Sequence, residues 1–210
     1  MTSAGEPGRP DRRRARSART REAIVTAFLE LVHEGHTRPT GAQVARRADV
    51  SERTLWSNVT DLDTLYEAAG ERIRRYAETL AVTIPTDLHF EERLTRFCAQ
   101  RVAAHEAITP FARANRLRGS GSAAARHNRT RYLTYSRAEL EEVFAPELDR
   151  LGPTREAVVL HLVTTTTWSA WAVLRDELGL DADTAASVVL AGLRAGLSEP
   201  AGPGALTDDG

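Results

Sequence analysis

Six histidines (His33, His36, His89, His105, His127 and His161) and one cysteine, Cys98, are the side chains best suited to acid–base, nucleophilic or metal chemistry. Their spacing assembles none of it. There is no HExxH pair, no glycine-rich phosphate loop and no serine elbow. His33 and His36 lie three apart with no set of partners nearby, while His105 and Glu106 are adjacent and so project from different faces of a helix. One cysteine makes neither an internal disulfide nor a cysteine zinc cluster. No enzyme activity, metal site or cofactor is expected.

The chemistry that remains is that of arginine. All 28 basic residues are arginine, and the net charge of −1 hides their distribution. Residues 1–21 hold seven arginines against Glu6 and Asp11, and residues 113–137 hold seven more with no acid. From residue 138 onward four arginines face thirteen acids. The asymmetry implies an anion-facing front end on a neutral or acidic body.

Elements must hold these cations in place. At 210 residues and 41% apolar content, the chain can form one large domain or a small and a medium one around a packed core. Residues 1–16, rich in Pro, Gly and Arg, bury too little to offset ordering and are expected to be a disordered basic arm, and residues 199–210 a disordered tail. Between them every sustained pattern is helical. Ile24, Ala27, Phe28, Leu31 and Val32 follow a helical face that Gly35 ends. Thr40 and Gln43 have capping-box spacing ahead of Val44, Ala45 and Ala48. Ser51 opens a short segment with Leu55 and Val59, and Thr60, with Asp61 and Asp63 in the first turn, opens a long helix through Leu80. Further helices are predicted at about 88–107, 108–117, 123–144, 154–179 and 182–197, with a loop at 119–122. No period-two alternation and no repeat of 20–50 residues stands out, so the fold class is all-α. The N-terminus lacks an apolar signal core and no apolar run reaches spanning length, so no membrane is expected and the cytoplasm is the default.

The stretch ARRADVSERTLWSNVTDLDTLY, residues 45–66, has the pattern of two short helices joined by a tight turn, with a third helix before them. The turn needs a residue tolerant of positive φ followed by an apolar pin, and Asp49-Val50 supplies both. Ser51 begins the second helix, whose first amides can face a phosphate.

With these features, residues 20–66 resemble the N-terminal DNA-binding domain of TetR-family transcriptional regulators, and the helical remainder has the length and pattern of the family's C-terminal half. The resemblance implies a three-helix helix-turn-helix domain at 17–66 and a helical effector-binding and dimerisation domain at 67–198. It implies that Thr40 and Ser51 meet phosphates and that Arg53 and Thr54 lie where base edges are read. Arg53 is the candidate for guanine, since its fork matches O6 and N7; its alternatives are a salt bridge to Glu30 or Glu34, or a phosphate contact. Trp56, Ser57, Asn58 and Val59 stand where the family has an aromatic, a variable residue, His and Phe. Trp56 is read as a phosphate donor or a core aromatic, and Asn58 as a further donor. Leu62 takes a place often held by lysine, so one phosphate contact is absent or replaced. Arg12, Arg13, Arg14 and Arg16 are candidates for a minor groove or flanking phosphates, or form a solubilising tail.

The body must sense, dimerise or both. The 154–179 segment is apolar nearly all round, and the last helix carries small residues that allow close approach. By resemblance, Leu160, Val163, Trp171, Leu174, Leu178, Val188, Val189, Gly192, Leu193 and Gly196 suit a four-helix dimer interface. A two-fold dimer would read a pseudo-palindromic operator with half-sites about 34–36 Å apart, or a multiple. Phe97, His105, Phe111, Tyr132, Tyr135, His161, Thr165 and Trp168 are candidates for a small-molecule effector, each with a core or interface role as its alternative. The basic run 113–137 is a solvated face, a surface toward DNA, or part of an anionic-effector site. The reading that follows is a ligand-responsive homodimeric regulator of transcription, a repressor more readily than an activator. Its competitor is a helical dimer of the same fold that binds proteins or sequesters an effector with weakened DNA contacts.

Overall fold

The computed structural model describes residues 9–118 and 122–198, with side chains from residue 13 onward. Its elements are α1 (Arg9–His33), α2 (Gly41–Arg47), α3 (Glu52–Asn58), α4 (Leu62–Leu80), α5 (Phe90–Leu117), α6 (Ala123–Val143), α7 (Ala145–Leu148), α8 (Arg155–Thr165), α9 (Trp168–Ala172) and α10 (Ala182–Leu197). A 3-10 segment, Asp149–Thr154, precedes α8, and a π-helical turn, Val173–Glu177, follows α9. Among the described residues there is no strand, so the all-α expectation holds.

The chain divides into two compact units, Met1–Glu78 with Ala107–Thr130, and Thr79–Glu106 with Arg131–Gly210. Each of α5 and α6 therefore contributes residues to both.

In the first unit, Ile24, Phe28, Leu31 and Val32 of α1 close on Val44 and Ala45 of α2, Leu55 of α3 and Leu65, Tyr66 and Ala69 of α4. Phe28 meets Tyr66 edge to face at 4.7 Å. Gly35, at φ 95°, ends α1, with His36 N–H donating to Leu31 O and Gly35 N–H to Val32 O, the paired bonds that satisfy the last carbonyls. The Thr40–Gln43 capping box forms as its spacing predicts. At the start of α4 the cap is Asp61 rather than Thr60: Asp61 Oδ1 accepts from Thr64 N–H at 2.7 Å, which lowers the Asp61 pKa. One expectation is overturned in part. Residues 9–16, read as mobile, continue α1, because arginine and alanine are good helix formers and Pro10 falls in the first turn, where its missing N–H costs nothing. Residues 1–8 lie outside the described residues, as do residues 199–210.

Two later stretches depart from the sequence reading. The helices expected at 88–107 and 108–117 are one, α5, with Pro110 inside it. The segment expected as one helix over 154–179 breaks at Thr166-Thr167. Thr167 leaves the helix at ψ 157° and caps α9, its hydroxyl accepting from Ala170 N–H. The run of threonines there hydrogen-bonds preceding carbonyls, Thr164 to Leu160 O, Thr165 to His161 O and Thr166 to Leu162 O, a competition that bends helices. Along α5, Arg93, Phe97, Arg101 and His105 recur every four residues and all are buried.

Candidate nucleic-acid interface

The turn between α2 and α3 has the geometry its residues call for. Asp49 sits at φ 53°, and Val50 packs against the core of the first unit, its N–H donating to Ala45 O. Ser51 caps α3 by accepting from Thr54 N–H at 3.1 Å, and its hydroxyl lies 2.8 Å from that of Thr54. Both cap residues, Thr40 and Ser51, are exposed, so each hydroxyl faces solvent beside helix-terminal amides that favour anions.

Arg53 occupies the second position of α3 and is exposed. Both Glu34 and Glu30 face Arg47 instead, which donates to both Glu34 oxygens at 2.7 and 2.8 Å and lies 3.5 Å from Glu30. That double bond lowers the Glu34 pKa and raises that of Arg47. Arg53, like Arg46, meets no carboxylate among the described residues, leaving its fork open to an outside acceptor.

Trp56 is 39% exposed, and its ring covers Gly41, where an added Cβ would stand 2.3 Å from Cζ2. It is thus neither a core aromatic nor wholly free: glycine at the start of α2 makes room for it. Asn58, expected as a phosphate donor, also makes bonds within the chain, Nδ2 donating to Thr54 O at 2.8 Å and Oδ1 accepting from the Ser17 hydroxyl at 3.0 Å. Ser57, exposed, turns its hydroxyl to Thr54 O. Leu62 packs on the core, as an apolar residue must. Arg13, Arg14 and Arg16 are exposed on the first turns of α1, and the side chain of Arg12 lies outside the described residues.

Among solved structures, the chain is similar to a protein from Mesorhizobium loti proposed to be a TetR-family transcriptional regulator. The TM-score is 0.59, and the match covers 87% of this chain and 96% of that one at 17% identity. The chain has the TetR-family fold. No protein-family profile and no curated protein matches its sequence.

Within this TetR fold the effector candidates scatter. Phe111 belongs to the core of the first unit, 6.3 Å from Tyr66. His161 is exposed on α8, Thr165 bonds its own helix, and Tyr135 is half-buried on α6. The others gather in the second unit. His105 Nε2 lies 3.0 Å from Thr166 O, Trp168 N–H donates to the Tyr132 hydroxyl at 3.2 Å, and Phe97 packs edge to face on Phe144 at 5.2 Å. Burial drives the His105 pKa down to about 3 and raises that of Tyr132. Sequence reasoning missed Arg101, which donates to Ser136 and Glu139 and stacks 4.8 Å over Phe97. Its signal was present: it stands four residues from both Phe97 and His105.

The dimer candidates of the TetR fold also divide. Leu160, Leu178 and Val188 are exposed, at 50, 63 and 47%, and Leu174 is half-buried. Val163, Trp171, Val189 and Leu193 are buried in the second unit itself. Helix α8 packs on α10, and a Cβ at Gly196 would come within 2.7 Å of Leu162, so that glycine serves the chain's own packing; Gly192 opens to free space.

Two arginines of the basic run 113–137 are bound within the protein. Arg118 binds Asp63 at the start of α4 and stacks 4.2 Å over Tyr66, while Arg137 binds Glu156 at 2.7 Å and Glu141.

Proposed function

We propose that the protein is a homodimeric DNA-binding regulator of transcription, a repressor released from a pseudo-palindromic operator by a small molecule. The observation that carries the proposal is Arg53: exposed on a capped second helix of a helix-turn-helix, with the nearby carboxylate Glu34 bound by Arg47. Dimerisation is supported by Leu160 of α8 and Val188 of α10, large apolar side chains left exposed on helices that pack together. Effector binding is supported by the polar group of buried Arg101 and His105 with half-buried Tyr132, which belongs to a domain far larger than a reading head needs. Solubility in the cytoplasm belongs to the same proposal.

Selection of bound genomic fragments by the purified protein, followed by footprinting, tests it. A pseudo-palindrome is expected, with Arg53→Ala relaxing the preference at one base pair per half-site. Linkage then requires that effector and operator weaken each other by the same factor. The reading as a protein-binding or sequestering dimer draws on Asn58 and Leu62, whose side chains are turned inward. It predicts weak heparin retention and no sequence selected above non-specific binding.

A further inference from the structure

The arginines before residue 21 are carried on a helix, and one bond ties that helix to the end of α3. Ser17 donates to Asn58 Oδ1 at 3.0 Å, and Asn58 is the last residue of α3. At about 100° per residue, Arg13, Arg14 and Arg21 lie within about 60° of Ser17 around α1, whereas Arg19 lies about 160° away. All four are exposed, and none meets a carboxylate among the described residues. The side of α1 turned to α3 is therefore the side that holds Arg13 and Arg14.

We infer that Asn58 is a positioning residue that fastens the basic face of α1 beside the C-terminal end of α3, where Arg13 and Arg14 form a strip binding the duplex phosphates that border the groove α3 enters. The inference rests on the proposed DNA-binding role of α3. The major groove is about 12 Å wide, so the end of a seven-residue helix docked there lies near one phosphate rim. A helix about 10 Å across does not enter a minor groove about 6 Å wide, so these arginines grip backbone rather than read minor-groove edges. Asn58, with its amide turned inward, thus contributes to phosphate binding through α1.

The test is duplex binding by the full chain as a function of salt, on the selected operator and on a random duplex. The Arg13→Ala/Arg14→Ala pair is expected to reduce the slope of log K against log salt by about 3.6 for the dimer on both duplexes, since two phosphate contacts are lost in each subunit and each contributes about 0.9. Arg19→Ala leaves the slope unchanged. Ser17→Ala, a change at an exposed hydroxyl that leaves the core intact, removes part of the same slope and adds nothing in the Arg13→Ala/Arg14→Ala background; Asn58→Ala does likewise. An unchanged slope in the arginine pair, an equal loss in Arg19→Ala, or an additive effect of Ser17→Ala overturns the inference. If Arg53→Ala leaves sequence selection intact while the slope still falls, the reading of α3 fails and the strip stands. Absence of any duplex binding overturns both.

Discussion

In the second unit, Arg93 is buried and donates to both oxygens of Glu147 at 2.6 and 2.8 Å and to Val143 O at 2.7 Å. In the first, Arg53 is exposed and meets no carboxylate among the described residues. The contrast recurs among other arginines without following the units, since Arg47, Arg72, Arg74 and Arg118 of the first unit also meet acids. Arg96, Arg101, Arg137, Arg155, Arg175 and Arg194 all face acids within 3.3 Å, whereas Arg13, Arg14, Arg16, Arg19, Arg21 and Arg46 face none among the described residues. One residue type thus does two jobs. An arginine that meets a carboxylate ties the chain to itself; one that meets none keeps its charge for a partner. A near-zero net charge conceals both.

The comparison breaks most visibly if buried and exposed arginines are truncated alike. Arg93→Ala leaves Glu147 buried without its cation, which costs about 3–5 kcal/mol, read as a lower urea midpoint at unchanged m-value. Arg53→Ala should alter the same midpoint by less than about 0.5 kcal/mol. Equal losses would mean that Arg53 is structural after all.

The second effect belongs to DNA alone. If Arg53 bridges guanine O6 and N7, Arg53→Ala costs about 1–3 kcal/mol of discrimination at that base pair, measured with operators substituted one position at a time. Uniform weakening across all operators would move Arg53 from the bases to a phosphate.

How much of this was legible beforehand depended on range. Caps at Thr40 and Ser51, the left-handed Asp49 and the α1 core face were legible because each is set by residues within four positions along the chain. The Arg47–Glu34 pair was not, since the sequence offered several cations for one acid and only the folded α1 and α2 decide between them. The Asn58–Ser17 bond was hidden for a similar reason: the two residues lie 41 apart, and Ser17 follows directly on a stretch whose composition looked mobile. The break at Thr166-Thr167 stayed hidden because apolar periodicity continues across it, while the departure is made by hydroxyls bonding backbone.

The third prediction concerns the buried polar group. His105 ionises at about 3 instead of the usual 6.5, mainly because burial penalises its charged form, with Arg101 adding repulsion. The unfolded chain therefore takes up this proton below about pH 6.5 while the native chain does not. Its contribution to stability is complete above that pH and is lost as pH falls toward 3, at about 1.4 kcal/mol per unit. His105→Gln should flatten the pH dependence of the urea midpoint across this window. No change would mean that other groups carry the acid sensitivity.

The smallest effect returns to the turn that joins α2 and α3. Asp49 holds φ 53°, a conformation that costs glycine nothing, so Asp49→Gly relieves strain. It also frees the unfolded chain, at a cost of about 0.4–1 kcal/mol, and the two terms nearly cancel. Stability should stay within about 0.5 kcal/mol of the parent. Duplex binding should not stay put, because the substitution removes an exposed carboxylate from the turn that precedes Ser51 and Arg53. Affinity is expected to rise at low salt and to return to the parent value as screening increases, since the Debye length falls to about 3 Å at 1 M. An affinity gain that persists at high salt would mean that the glycine reshapes the turn rather than unmasking the positive charge around it.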